Sequence, residues 1–168
     1  MRVFLDTNVL VSAFASRGLC ADLLELVLVE HDLIVGENVV RELAKALRDK
    51  VKLPTARSTE IVDFIAGEAT LVVGKVEPVT AMVDADDALV LAEALAGHAE
   101  MFVTGDAALL KLAAIESLQL VSPRQFWEAL RGQTLNAPDS APRASGSRRA
   151  GVRQESACTP SGRQRLFP

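Results

Sequence analysis

Tyrosine is absent from this 168-residue chain, and one Trp and six Phe make up all its aromatic residues. Proteins that hold single strands by stacking bases on ring faces need more than that, so any polynucleotide chemistry here must rest on charge. Cysteine is nearly as scarce: Cys20 lies in an amphipathic segment and Cys158 far away in a polar one. This spacing excludes a disulfide framework and a thiolate metal site, and both thiols are expected to be reduced and structurally incidental. The two histidines, His31 and His98, each stand where a helical pattern gives way to a strand, a position typical of solvated loop or helix-end residues. No Ser-His, Cys-His or phosphate-cradling glycine loop is present. Long apolar runs are missing as well. None approaches the roughly 18 residues of a membrane span, and no charged segment followed by an apolar one opens the chain. A cytoplasmic location away from membranes is the expectation.

What the chain does have is a globular composition, 49% hydrophobic and 24% charged with a formal net charge of -4. That is enough for one domain with a sizeable core. From Gly132 the text turns to Pro, Ser, Gly, Ala and Arg without helical or strand periodicity, so residues 1–131 are expected to fold and 132–168 to form a disordered tail. The tail holds six Arg against Asp139 and Glu155, a charge of +4, which leaves -8 on residues 1–131. An acidic domain suits phosphate backbones only through a local basic strip. Arg41, Lys45, Arg48, Lys50 and Lys52, with Arg57 beyond them, form one, opposed only by Glu42 and Asp49. The same strip also fits a solvated helix face.

Short apolar runs alternate with amphipathic stretches along residues 1–131, the pattern of a parallel sheet covered by helices. The fold class is therefore α/β. Strands are expected at Val3–Leu5, Leu33–Val35, Leu71–Val73, Met101–Val103 and Leu118–Val121. Helices are expected at Val9–Ala15, Cys20–Glu30, Val39–Lys50, Ser58–Ala69, Asp86–Ala96, Ala107–Ala113 and Pro123–Leu130, with Ser58 and Pro123 as start signals. In such sheets ligands bind beyond the carboxyl ends of the strands, which gives acids located there special weight.

Two acids sit at such ends: Asp6 in RVFLDTN, and Asp106 in MFVTGDAALL. Each could equally cap the helix that follows, with Asn8 as a further cap candidate for the first. In ENVVRELAKALRDK, Val39, Val40, Leu43, Ala46 and Leu47 form an apolar stripe and Glu42 lies on its flank. In DADDALVLAEALAG, Asp87 shares a face with Val90, Leu91 and Ala94, so its carboxylate should face the sheet. Asp84 is expected to cap that helix or orient its neighbours, and Asp86 to be the exposed one, although a shift of register would exchange Asp86 and Asp87. Carboxylates gathered at one sheet edge repel, and burying them is costly without a counter-ion. An oxygen-only donor set selects hard ions, Mg²⁺ or Mn²⁺, one or two of them. Such ions support phosphodiester hydrolysis by activating water. Thr7 and Thr104 can fix the orientation of the acids through hydroxyl hydrogen bonds, with Asn8 and Asp84 beside them.

The strand-DTN start, the amphipathic helix with Glu42, the DADDALVLAEAL helix and the VTGD turn together resemble the PIN domain over about residues 1–131. The wording DTNVLVSAF and VTGDAALL is most similar to the toxin components of prokaryotic toxin–antitoxin systems, VapC-like ribonucleases. The resemblance implies a three-layer α/β/α, Rossmann-like fold with a central parallel sheet of about five strands. It also implies a Mg²⁺- or Mn²⁺-dependent endoribonuclease, often a homodimer, neutralised by a small antitoxin. Asp6, Glu42, Asp87 and Asp106 become the candidate catalytic and metal-holding residues, and Arg41, Lys45, Arg48, Lys50 and Lys52 the candidate RNA contacts. Two features depart from the pattern. Ala107, Ala108, Leu109 and Leu110 follow the Thr-Gly-Asp turn where many relatives have a further acid, and the Arg-rich tail is not required by the family. Two other readings use the same residues: a non-catalytic RNA- or protein-binding module, and a phosphohydrolase with Asp6 as nucleophile. The second would want an aspartate where Asn8 stands and a lysine near Thr104-Gly105-Asp106.

Overall fold

The computed structural model describes residues 1–74, 76–78 and 84–135. Among them, strands β1 (Arg2–Leu5), β2 (Asp32–Gly36), β3 (Thr70–Val72), β4 (Met101–Val103), β5 (Ala114–Ile115) and β6 (Leu118–Val121) form one sheet in the order β3-β2-β1-β4-β6-β5. Every pairing is parallel except that of β5 with β6. Strands covered on both faces need apolar side chains at consecutive positions. Val3, Phe4 and Leu5 of β1 and Leu33, Ile34 and Val35 of β2 are all buried, and the Phe4 and Phe102 rings of neighbouring strands stack at 5.3 Å.

The helices are α1 (Thr7–Ala15), α2 (Leu19–Glu30), α3 (Glu37–Asp49), α4 (Thr55–Glu68), α5 (Ala85–Ala96), α6 (Ala107–Leu110) and α7 (Pro123–Leu135). Crossovers between parallel strands are right-handed. The steps β1 to β2 and β2 to β3 run one way along the sheet and the steps β3 to β4 and β4 to β6 the other, so their helices fall on opposite faces. Packing agrees: α1 contacts α2 and α3, α3 contacts α4 and α2 contacts α7, whereas α5 lies against β2 and β3 and among the helices touches α3. The result is the expected three-layer α/β/α architecture. No described helix is long and apolar enough to cross a membrane.

Several boundaries differ from the sequence reading. The helix expected through Ala113 ends at Leu110, and the sheet has six strands because Ala114–Ile115 pairs antiparallel with β6. This added strand satisfies backbone groups along an edge of β6 that would otherwise be open. The chain makes the two turns with left-handed residues at Ala113 (φ 58°) and Glu116 (φ 53°). Ser58 does not start α4. The helix begins after the extended Pro54, and Ser58 is buried with its hydroxyl donating to the Pro54 carbonyl at 3.2 Å. His31 is not a solvated loop residue either: both ring nitrogens are buried without a partner, and the ring lies 6.5 Å from that of Phe126. His98 is exposed, as expected, with φ 50°. α7 runs to Leu135, past the boundary expected at residue 131. The Arg-rich tail from residue 136, Cys158 included, lies outside the described residues.

Candidate active site

An open parallel sheet offers a crevice where its strand order reverses. Here the chain leaves β1 toward β2 and leaves β4 toward β6, so the reversal falls between β1 and β4. The residues standing at that point are Asp6, directly after β1, and Thr104, Gly105 and Asp106, directly after β4. The ladder extends one step into this edge: Asp6 N–H donates to the Val103 carbonyl and Thr104 N–H to the Val121 carbonyl, each at 3.0 Å.

With the backbone fixed, the side chains follow. Thr104 is fully buried, donates its hydroxyl to Asp6 Oδ2 at 2.7 Å and accepts from Asp106 N–H at 3.0 Å. A buried hydroxyl with both roles filled is held rigidly, and it holds the Asp6 carboxyl with it. Burial raises the Asp6 carboxyl above its ordinary range; the Thr104 bond works against that rise and the Glu42 charge adds to it. The buried Thr7, in the first turn of α1, donates to Glu42 Oε2 at 2.9 Å and so fixes the acid of α3.

Asp87 enters from the other side. Asp84 caps α5, accepting from Asp86 N–H at 3.1 Å and Asp87 N–H at 2.9 Å, which places Asp87 in the first turn. Burial first, and then the charges of Asp84, Asp106, Asp6 and Glu42, push the Asp87 carboxyl up to about 6. Asp106 Oδ1 caps α6 through Ala108 N–H at 2.6 Å and Leu109 N–H at 3.2 Å. Capping and facing the site are therefore both true of Asp106.

Asp6, Glu42, Asp87 and Asp106 line one cavity of about 310 Å³. α3 supplies a wall from Glu42, Lys45, Ala46, Asp49 and Lys50, a spacing that repeats one helical face. Thr7, Asn8, Asp86 and Val90 complete the lining. Of the basic strip, Lys45 and Lys50 reach the cavity. Arg41, Arg48 and Lys52 are exposed and do not line it, and the Arg41 guanidinium donates to Asn38 Oδ1. Asn8 is not the cap of α1; that position is Asp6, which makes no side-chain capping bond. Asp86 faces the cavity beside Asp87, and Asp49 was overlooked although it falls on the Glu42 face.

A raised carboxyl has a consequence for stability. Asp87 favours its protonated form when folded, so its contribution is fully present below about pH 4 and is lost as pH rises through about 6. In a chelating buffer, Asp87→Asn is expected to be more stable than the parent chain at pH 8, by on the order of 1 kcal/mol after allowance for solvent screening. The gap should close below pH 4. Urea melts at the two pH values check this, and a gap of constant size would count against it.

The family model described as "PIN domain" matches residues 2–108. Among solved structures, the chain is similar to VapBC2 from Rickettsia felis bound to a DNA fragment from their promoter, at 16% identity and a TM-score of 0.52, covering 73% of this chain and 98% of that one. It is also similar to VapBC-1 from nontypeable Haemophilus influenzae, at 16% identity and a TM-score of 0.54, covering 74% of this chain and 99% of that one. These likenesses speak to the fold. No curated protein sequence matches the chain.

Proposed function

This chain belongs to the PIN domain family, and from that premise we propose that it is a Mg²⁺- or Mn²⁺-dependent endoribonuclease, the toxin of a type II toxin–antitoxin pair. The observation that carries the reading is the gathering of four acids, two following β1 and β4 and two on α3 and α5, on one cavity at the sheet's switch point. The partner is a small cognate antitoxin, in keeping with the VapBC complexes that share the fold. The chain acts in the cytoplasm as a homodimer.

The donor set fits a hard divalent ion: it is all oxygen, and Asp87 is held at about 6 by burial and by its acidic neighbours. No three described His, Cys, Asp or Glu side chains form a ready-made metal cage. Mg²⁺ is ordinarily held by one or two carboxylates together with water and substrate phosphate, so a looser acidic cavity suits it. Asp6, Glu42, Asp87 and Asp106 would hold the ion, which when bound supplies charge neutralisation on a phosphodiester and acidifies water at the site. Thr104 and Thr7 keep Asp6 and Glu42 oriented. Lys45 and Lys50, on the same wall, offer ammonium groups to the flanking phosphates.

Purified full-length chain is expected to cut a labelled single-stranded RNA with Mn²⁺ or Mg²⁺, to stop in EDTA, and to spare DNA of the same sequence. RNA left intact under all conditions would overturn the reading. A second reading, a non-catalytic PIN-fold binding module, draws on Asp84 and Asp106, whose carboxylates cap α5 and α6. It predicts RNA or protein binding that EDTA does not change and no cleavage.

A further inference from the structure

Glu93 lies in α5 within Ala88-Leu89-Val90-Leu91-Ala92-Glu93-Ala94, most of it buried, and is itself only 3% exposed. Its Oε1 accepts two hydrogen bonds from the start of α3, from Asn38 N–H and from Asn38 Nδ2, both at 2.9 Å. Its Oε2 is buried without a partner. α3 has no cap of its own: the cap position is Gly36, which makes no side-chain bond. The first N–H groups of a helix have no partner inside it and carry the positive end of the helix dipole. A carboxyl reaching across from another helix therefore does what a cap residue would do.

We propose that Glu93 is a positioning residue that fastens the first turn of α3 to α5 and so sets the separation of Glu42 and Asp87 across the cavity. The inference rests on reading that cavity as the active site. Asn38 is one helical turn before Glu42 on α3, and Glu93 stands less than two turns after Asp87 on α5. The bond between them joins the two walls near the acids each wall presents. Asn38 carries the connection further, since its Oδ1 accepts from the guanidinium of Arg41, the residue next to Glu42. Gly36 provides the space: a Cβ there would run into the Glu93 carboxyl and lie 2.7 Å from Glu93 Cβ.

What α3 receives from Glu93 is a hydrogen-bond acceptor, Oε1, for the two Asn38 donors. Burial raises the Glu93 carboxyl, the Asn38 bonds lower it, and Glu37 and Arg41 act in opposite senses. A glutamine places the same acceptor at the same distance, while leucine keeps the volume and removes it.

Glu93→Leu is expected to speed amide exchange of residues 38–42 at least about tenfold, leaving β1 and β4 amides unchanged. It should also lower kcat for RNA cleavage by about 10- to 100-fold, the range for residues that orient metal ligands, with KM within about threefold. Glu93→Gln should restore both to near the parent values. Unchanged kcat or unchanged exchange in Glu93→Leu overturns the proposal, as does a Glu93→Gln as damaged as Glu93→Leu. Should Glu93→Leu fail to fold, Asn38→Ala removes the side-chain half of the connection, and a kcat equal to that of the parent chain overturns it. A parent chain that cuts no RNA defeats the proposed function instead, and the exchange measurement then still decides the role of Glu93.

Discussion

Asp6→Asn is expected to abolish RNA cleavage, lowering kcat by on the order of 10³-fold, about 4 kcal/mol of transition-state stabilisation, without harming the fold. The substitution keeps shape and removes charge. The Thr104 hydroxyl, which donates to Asp6 Oδ2 at 2.7 Å, can donate equally well to an amide oxygen, and the Asp6 N–H bond to Val103 belongs to the backbone. Burial and the neighbouring Glu42 already oppose ionisation of Asp6, so a neutral isostere relieves a cost in the folded state. The variant should therefore melt at or above the parent temperature at pH 8 in chelating buffer. Loss of activity together with unchanged or raised stability is what an acid kept for chemistry produces. Single-turnover cleavage and a thermal melt of one preparation measure both. Activity above about a tenth of the parent value would remove Asp6 from the chemistry.

The elements bearing the acids were legible because each reports itself locally. Val3-Phe4-Leu5 and Phe102-Val103 are continuous apolar runs ending in a polar residue, which is how a strand buried on both faces ends at a solvent edge. The position of Asp87 followed from its spacing to Val90 and Leu91 on a helix whose cap, Asp84, lies three residues earlier. What could not be read depends on distant partners. The Ala107–Ala113 stretch looks helical throughout, and only the open edge of β6 draws Ala114–Ile115 into a strand. His31 stands at a helix end, where solvent is the default neighbour, and only the docking of α7 brings Phe126 against it. Lys45 lies away from the apolar stripe of α3, yet it lines the cavity together with Glu42, Ala46, Asp49 and Lys50 of the same helix. Glu93 did leave a trace, as a single charge inside the apolar run from Ala88 to Gly97. Its partner, Asn38, is 55 positions away and no spacing rule connects them.

That long-range pairing makes Gly36→Ala costlier than its size suggests. Gly36 ends β2 in an extended conformation, φ -98° and ψ 162°, that any residue can adopt, so the penalty is spatial and not conformational. The added methyl meets the Glu93 carboxyl and lies 2.7 Å from Glu93 Cβ, which is anchored to the α5 backbone and cannot swing aside. Overpacking of a close-packed interior costs roughly 1–3 kcal/mol. Displacing Glu93 from Asn38 adds about 1–2 kcal/mol for the N–H groups left unpaired. A loss of about 3 kcal/mol in urea unfolding is expected. Glu93→Ala removes the carboxyl that collides but leaves the Cβ, so Gly36→Ala/Glu93→Ala should be less destabilised than the two single losses added together, by about 1 kcal/mol or more. Recovery should be partial, because the 2.7 Å approach of the two Cβ atoms persists. A Gly36→Ala chain within about 0.5 kcal/mol of the parent, or strict additivity in the double variant, would mean that α3 and α5 are not braced against each other at this point.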